Sequence, residues 1–377
     1  MILFILYTLS SMGCGVFLLS RFFPLVQRPV LVLGGSLIGI LLSVNMLYEC
    51  LALGIVQVSA LPLVYFLFST LFLIVFLKHI DVVKRIIQTL HFSAFHFVLL
   101  AFFMSMAIWF ITKSFRGDTA TLLIGSNEVF DFGHSLSMIR SMSWGQNMPF
   151  LSPFVSGAVH IYYFMFYFWA ALFERAGFHI VSAVNIPSIF SLSAFFIALY
   201  FFASRTFSSR LIGMITVLFT VFHSNLTFIS YFLKKGLSAT TFMGIWRNST
   251  YLFNGPDDGS RITLGRTMNV FVNQRHFAFS LALVFCLFLL FEQKNSGKRQ
   301  QLIQSCIAGI ILGNLVLWHA TLAFAGTLGL FLVFLFRKQY KESIIFVLST
   351  GLCMFLSLLP WFTQLIHAVV PYIVSHI

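Results

Sequence analysis

Long apolar runs separated by short polar breaks make up almost the whole chain. A bilayer core of about 30 Å takes roughly 20 apolar helical residues to cross, and runs of about this length recur. Strands of a membrane barrel would alternate apolar and polar residues instead. The pattern therefore predicts an all-α fold, a polytopic transmembrane bundle of about 10–11 helices. The predicted spans are residues 2–19, 31–48, 51–77, 92–112, 157–173, 181–203, 209–231, 271–291, 302–317, 320–336 and 343–362.

The composition supports a membrane protein and excludes a soluble one. Hydrophobic residues make up 59% of the 377 positions, Phe alone accounts for 49, and charged residues contribute only 9%. The mean hydropathy is +0.96, far above that of soluble domains. The lipid bilayer is thus the first expected partner. The run 2–19 has no preceding basic segment and no cleavage pattern, so we predict a retained helix rather than a signal peptide.

The net charge of +13 does not indicate a nucleic-acid partner, because Lys and Arg lie mostly in the breaks between apolar runs. This distribution follows the positive-inside rule. It places the breaks around Arg21, Arg28 and Lys78 in the cytoplasm and the amino terminus outside. The five cysteines show no paired spacing, which gives neither a disulfide framework nor a metal site.

The predicted topology contains one conflict. Loops 113–156 and 232–270 are both predicted to lie outside the cell. Three apolar runs separate them, however, and an odd number of membrane crossings cannot join two loops on the same side. Either the run 157–173 is re-entrant or lies at the surface, or another crossing is miscounted. We favour the first option, because Arg205 and Arg210 would then face the cytoplasm.

Acidic residues crowd into the first long polar loop. The chain holds only 10 acidic residues, and Asp118, Glu128 and Asp131 lie close together, followed by His134. Ionisable groups at a membrane edge tend to be functional. An acid here could act as a general base on a hydroxyl, or bind a divalent cation near a phosphate leaving group. The alternative is that Asp131 caps a helix and Glu128 is merely solvated.

A short helix is predicted directly after these acids, over residues 135–144. Leu136, Ile139 and Met142 recur every three residues, with serines and Arg140 between them. This spacing gives one apolar stripe, which is typical of a helix that lies at the membrane interface. Such a helix would hold a carboxylate at the bilayer edge.

Aromatic and histidine side chains follow at two further places. His160, Tyr162 and Tyr163 open an aromatic run, which forms either an interfacial belt or the wall of a headgroup or sugar pocket. His319 lies at an apparent hairpin tip, where it is either a satisfied interfacial residue or a ligand-binding one. Gly309 and Gly313 precede it and would let helices approach closely.

The second polar loop, 232–270, is basic and leads to Arg275 and His276 at the start of a predicted helix. Cations such as Arg247 beside a helix amino terminus favour a phosphate or pyrophosphate. Alternatively, Arg275 and His276 anchor the helix at the headgroups, and the acidic pair at 257–258 forms a turn. No Walker loop, GxSxG elbow, HExxH or dinucleotide fingerprint occurs.

The order of these motifs along the chain resembles that in the GT-C superfamily of polytopic membrane glycosyltransferases. The resemblance is in particular to the bacterial and archaeal branches with a Tyr-rich helix after the first outer loop. Within a single membrane domain, 1–377, the resemblance covers residues 92–340. Residues 1–91 would be extra amino-terminal helices and 341–377 a final helix and tail. The resemblance rests on residues 131–134, 139–145, 147–153, 160–163, 177–185, 273–276 and 313–319.

The resemblance implies an enzyme of the prokaryotic plasma membrane. Such enzymes move a sugar from a polyprenyl-phosphate donor to a hydroxyl of a glycan, lipid or protein at the extracytoplasmic face. Asp131 matches the family's catalytic acid, with Glu128 and His134 beside it, and Arg275, Arg247 or a loop lysine would steady the departing phosphate. The remaining expected substrate-binding residues are Arg140, His160, Tyr162, Tyr163, His276 and His319.

A second hypothesis is a flippase or transporter of lipid-linked glycans, or another non-enzymatic polytopic protein. Such a protein also needs cations and aromatic walls. A transporter, however, should carry titratable groups midway along its spanning helices, together with inverted repeats. Most charges here lie at the ends of the apolar runs, which favours the enzyme.

Overall fold

A computed structural model describes most of the chain as helix. The residues outside the description are 25, 81–83, 85–93, 119, 126–128, 156–157, 159, 161–162, 223–226, 248–265, 292–296 and 375–377. The described part contains fifteen α-helices and a two-stranded antiparallel hairpin. The prediction of an all-α, polytopic helical bundle is confirmed.

The helices are numbered in chain order, and a 3-10 turn at Val58–Ala60 leads into α3. The hairpin pairs β1, Phe115–Gly117, with β2, Leu122–Ile124. The helices are α1 Ile2–Phe22, α2 Arg28–Ala52, α3 Leu61–Lys78, α4 Ala94–Ser114, α5 Val129–Ser143, α6 Met165–Arg175, α7 Ile180–Thr206, α8 Arg210–Phe222, α9 Thr227–Lys235, α10 Ala239–Arg247, α11 Arg266–Asn273, α12 Arg275–Phe291, α13 Lys298–Asn314, α14 Val316–Phe336 and α15 Tyr340–Val374.

Seven of the described helices are long and apolar enough to cross a bilayer. They are α1, α2, α3 with its leading turn, α4, α7, α14 and the Tyr340–Pro360 part of α15. Helix α12 and most of α8 are shorter and also apolar. The chain is therefore an integral membrane protein.

Three predicted spans are divided differently in the structure. The run 51–77 is broken because α2 ends at Ala52, and α3 begins only after the 3-10 turn, with Pro62 in its first turn, where proline is well tolerated. The run 271–291 is interrupted at Gln274, between α11 and α12. The run 209–231 covers α8 and part of α9, whose junction lies outside the described residues.

The described part of the run 157–173 is too short to cross a membrane. It contains α6, an 11-residue helix that is about 16 Å long, less than a bilayer core. Every residue from Met165 to Glu174 is buried, so α6 is apolar because protein surrounds it. This agrees with the option that the run does not span, under which loops 113–156 and 232–270 lie on one side; the position of the run in a membrane stays a prediction.

Several of the basic breaks between helices lie at one end of the bundle, which we call the basic end. Gln304 Nε2 of α13 donates to the Phe22 carbonyl at the end of α1 (2.8 Å). Arg337, just after α14, donates to the Phe291 carbonyl at the end of α12 (2.5 Å). Arg210 lies over the Phe95 ring near the start of α4 (5.8 Å). The positive-inside rule predicts that this end faces the cytoplasm.

The opposite end carries the β-hairpin and α5; we call it the hairpin end. Asn185 Nδ2, near the start of α7, donates to the Phe115 carbonyl of β1 (2.8 Å). Tyr48, near the end of α2, lies with its hydroxyl 3.4 Å from the Phe150 backbone nitrogen. The start of α12 and the ends of α2 and α4 therefore meet here.

Glycines allow the closest helix contacts. A Cβ on Gly39 of α2 would clash with the Ser11 carbonyl of α1, and one on Gly15 with the Gly35 carbonyl. Between α13 and α15, a Cβ on Gly309 would meet the Phe346 carbonyl at 2.6 Å, and Gly313 is similarly close to Thr350. The prediction that Gly309 and Gly313 permit close approach is confirmed.

Candidate functional site

Arg275 begins α12 and turns into the bundle, where only 3% of its surface is exposed. Its Nη1 donates to Asn185 Oδ1 (2.7 Å) and Ser188 Oγ (3.2 Å) of α7. Its Nη2 donates to Ser114 Oγ at the end of α4 (3.0 Å). Arg275 thus ties three helices together, and the interpretation that it anchors α12 at the headgroups is wrong.

Arg275 also supports the helix that carries Asp131. Its guanidinium carbon lies 4.7 Å from the centre of the Phe132 ring and 5.9 Å from that of Phe115. Contacts of this kind are attractive because the ring face is electronegative. Phe132 is the neighbour of Asp131 in the chain, so Asp131 and Arg275 lie at the same end of the bundle. The first polar loop and the start of α12 therefore meet in space.

Asp131 is exposed in the first turn of α5. An acid in this position interacts favourably with the helix dipole. It is the third residue of α5, however, and not the residue that precedes the helix, so the interpretation of Asp131 as the N-cap is wrong. Its carboxylate is accessible from outside the protein.

His134 and His160 form a stacked pair next to Asp131. Their ring centres are 5.7 Å apart, and Phe154 stacks on the other side of His134 at 4.8 Å. Burial lowers the pKa of His160 to about 4, with a smaller contribution in the same direction from nearby His134. Burial also lowers the pKa of His134, although the Asp131 carboxylate opposes this shift. Burial thus favours the neutral form of both rings, in which one ring nitrogen donates and the other accepts a hydrogen bond.

A second aromatic cluster contains three of the predicted substrate-binding residues. Tyr163 stacks on His319 with ring centres 4.6 Å apart, and His276 lies 5.2 Å from His319. The Tyr167 hydroxyl lies 3.3 Å from His276 Nδ1. His276 is fully buried, whereas Tyr163 is half-buried. The cluster thus joins the entry to α6 with the first turns of α12 and α14.

His319 lies at a break between two helical segments of α14, in agreement with its predicted place between two apolar runs. Its backbone is extended (φ −166°, ψ 95°), and its side chain is buried. Leu315, between α13 and α14, keeps helical backbone angles (φ −76°, ψ −15°), so the change of direction is at His319. The preceding Trp318 donates through Nε1 to Asn45 Oδ1 of α2 (2.7 Å), which fixes the start of α14 in the bundle.

Arg140 contacts a residue that the sequence analysis missed. Its Nε lies 2.9 Å from Oε1 of Glu174, near the end of α6, and the Glu174 side chain is only 3% exposed. Ser143 Oγ donates to the other carboxylate oxygen (2.5 Å), and Arg175 Nη1 donates to the Ser143 carbonyl (2.7 Å). The sequence signal that could have identified Glu174 is the acid-base dipeptide that it forms with Arg175 at the end of an aromatic run.

The apolar stripe of α5 faces protein rather than lipid. Ile139 and Met142 are buried in the hydrophobic core, with Leu136 packed against it. The predicted helix and its apolar stripe are present, and protein covers the stripe; the place of the helix at the membrane interface stays a prediction. Protein and lipid both select apolar side chains, so spacing alone does not distinguish them.

Asp118 has a structural role at the tip of the hairpin. Its Oδ1 accepts hydrogen bonds from the backbone nitrogens of Thr121 and Ala120, both at 2.9 Å. These bonds hold the pKa of the Asp118 carboxyl below its usual value. The other predicted acid, Glu128, lies outside the described residues, as does Tyr162.

The second polar loop is only partly described. Arg247 is the last residue of α10, but the structure does not describe its side chain. Residues 248–265, which include the acidic pair at 257–258, also lie outside the described part of the chain. Lys234 and Lys235 end α9 with exposed side chains. Among the described residues, no group of three His, Cys, Asp or Glu side chains could hold a metal ion.

The chain matches no family model, no curated protein and no solved structure.

Proposed function

We propose that the protein is a glycosyltransferase that moves a sugar from a polyprenyl-phosphate donor to an acceptor hydroxyl at the extracytoplasmic face. The observation that carries this proposal is the contact between Arg275 and Phe132, because it brings the exposed acid Asp131 to the end of the bundle that holds the buried His276–His319 cluster.

In the proposed reaction, the Asp131 carboxylate accepts the proton of the acceptor hydroxyl as its oxygen attacks the anomeric carbon. A new carbon–oxygen bond forms while the bond to the lipid phosphate breaks, so the phosphate leaves with the bonding electrons and the configuration inverts. His134 is three residues after Asp131 on one helix and therefore lies on the same face. Its neutral ring offers a second proton acceptor.

The geometry suggests separate roles for the other predicted residues. Arg275 directs its donors to protein atoms, so in this proposal it positions α5 rather than binding the phosphate. Arg247 or the exposed Lys234 and Lys235 would oppose the charge that develops on the departing phosphate. Tyr163, half-buried and stacked on His319, would offer a flat face to the sugar.

The placement of the charges favours an enzyme over a transporter. Transporters place ionisable groups near the bilayer midplane, on interrupted helices. In the described part of this chain, Arg275 and His276 are the first two residues of α12, and Glu174 is next to the last residue of α6. Buried ionisable groups thus lie near helix ends, at the hairpin end of the bundle.

The test is transfer of radiolabelled sugar from a set of polyprenyl-phosphate donors by the purified protein in lipid nanodiscs. We expect Asp131→Asn to lower the rate by about 100-fold or more, the usual size of a general-base contribution. Asp118→Asn is the matched control, since it changes an acid of the same loop and its amide oxygen can still accept the turn hydrogen bonds. Full activity in Asp131→Asn would show that the mechanism is wrong. Movement of intact lipid-linked glycan without transfer would instead support the transporter.

A further inference from the structure

A cavity at the hairpin end lies apart from Asp131 and from the His276–His319 cluster. It has a volume of about 910 Å³ and lies between the first turns of α1 and α3 on one side and the ends of α5 and α6 on the other. Ser143 lines it, twelve residues after Asp131 on α5, which is roughly 18 Å along the helix axis. The proposed sugar transfer uses none of the residues that line this cavity.

The cavity has one apolar wall and one polar wall. The side chains of Phe4, Leu61 and Pro62 form the apolar wall. Opposite them lie Glu174 and Arg175 at the end of α6, joined by Ser143 and Gln146. Trp144, 70% exposed, borders the same space, and tryptophans favour the level of the lipid headgroups. This division matches an amphiphile with a polar head and an apolar chain.

The charges of the polar wall favour an anionic head. Glu174 is already balanced by Arg140 at 2.9 Å. Arg175 donates one N–H to the Ser143 carbonyl, and a guanidinium has five such donors in a planar fork. Counting Arg140, which contacts the wall through Glu174, together with Glu174 and Arg175, these three side chains carry one net positive charge. Arginine forks suit phosphate because two parallel hydrogen bonds can form.

The 3-10 turn that precedes α3 adds to the preference of the cavity for an anionic head. Val58 and Ser59 of the 3-10 turn line the cavity together with Leu61. The turn and α3 follow one another without a gap, so the cavity lies at the amino-terminal end of a long helical segment. The positive end of a helix dipole stabilises nearby anions.

We propose that this cavity binds a membrane lipid whose head group is a phosphate monoester, with the phosphate on Arg175 and the chain against Phe4 and Leu61. The shared chemistry is a phosphate monoester on an apolar chain. A bulk phospholipid such as phosphatidic acid and a polyprenyl phosphate both supply it. The proposal does not depend on glycosyl transfer, because binding is measured without a sugar.

The experiment measures lipid binding to the purified full chain by native mass spectrometry. The probes are dioleoyl phosphatidic acid, a polyprenyl monophosphate and, as the zwitterionic reference, dioleoyl phosphatidylcholine. We expect at least one phosphate monoester to bind about 10-fold more tightly than phosphatidylcholine. Preference for phosphatidic acid, for the polyprenyl phosphate or for both identifies the source of the ligand. Equal binding of all three lipids would overturn the proposal.

The variants locate the binding. Arg175→Gln should weaken phosphate-lipid binding by about 10-fold, whereas Arg175→Lys, which keeps the charge but not the fork, should lose less. Arg116→Gln is the matched control, because it removes an exposed arginine from the hairpin at the same end. Unchanged binding in Arg175→Gln would overturn the proposal.

One further variant covers the case in which Arg175→Gln does not fold, since Arg175 also holds the Ser143 carbonyl. Ser59→Trp adds bulk at an exposed position of the 3-10 turn that lines the cavity and leaves every charge in place. A monodisperse Ser59→Trp protein should lose the preference for the phosphate lipids. If that preference persists, the lipid binds elsewhere.

Discussion

The two ends of α5 use polar residues in opposite ways. At the carboxyl end, the Glu174 carboxylate is enclosed and held by Arg140 and Ser143. At the amino end, Asp131 is exposed, while the neighbouring Phe132 covers the buried Arg275. One carboxylate is held within protein contacts, and the other remains within reach of a ligand.

This difference separates an acid that holds a helix from an acid that can do chemistry. A buried carboxylate that contacts a cation and a hydroxyl donor is enclosed by protein and out of reach of a substrate. An exposed carboxylate can contact a substrate hydroxyl directly. Helix α5 is thus fixed to α6 at one end and presents Asp131 at the other.

The largest effect should come from removing the support beneath Phe132. Arg275→Met leaves Asn185, Ser188 and Ser114 without their charged donor in a buried place. We expect a loss of about 3 kcal/mol or more in the free energy of unfolding, because buried polar groups lose partners. Arg275→Lys should recover little of it, since an ammonium cannot reproduce the planar fork.

Thermal unfolding in detergent measures this loss, and Arg116→Gln serves as the control for removal of one positive charge at the same end. An unfolding temperature of Arg275→Met equal to that of the control would mean that the guanidinium does not support α5. The contrast between the two ends would then no longer hold.

A smaller effect is expected at the other end of α5. Glu174→Gln keeps the shape of the side chain but removes its charge, and Arg140 can turn to solvent because 52% of its side chain is exposed. We expect a loss of about 1–2 kcal/mol, typical of a hydrogen-bonded charge with a solvated partner.

A double-mutant cycle with Arg140→Gln sharpens this comparison. The coupling energy between Arg140 and Glu174 should be about 1 kcal/mol or less, since Arg140 is half exposed. Sugar transfer in Glu174→Gln should stay close to that of the unchanged protein. A loss of activity as large as that of Asp131→Asn would give Glu174 a role beyond holding α5.

The helical bundle followed from the sequence because runs such as 181–203 are as long as a bilayer is thick. Where protein replaces lipid as the apolar surroundings, the same signal misleads. For this reason the run 157–173 was first counted as a span and the Ile139–Met142 stripe was placed at the membrane interface, although α6 and the stripe are both buried in protein. Apolar composition indicates that a segment is buried, but it does not indicate whether protein or lipid surrounds the segment.

The sequence predicted the residues of the candidate site better than it predicted the contacts between them. Asp131 and His134 stood out because acids and histidines are rare in this chain. Glu174 was missed because its partner Arg140 is 34 positions away, on another helix. The contacts of Arg275 span three helices and as many as 161 positions, a distance at which local patterns carry no information.

The last expected effect, small near neutral pH, is a dependence of stability on pH at the amino end of α5. The folded-state pKa of His160, about 4, lies below the ordinary value of 6.5, so the unfolded chain binds more protons between these pH values. The contribution of His160 is therefore fully present above pH 6.5 and is lost as the pH falls toward 4. Thermal unfolding between pH 7 and pH 4 measures this decline. His160→Phe should flatten it, and His134→Phe should do so less, because Asp131 opposes the shift at His134. An unchanged decline in His160→Phe would assign the pH dependence to other groups.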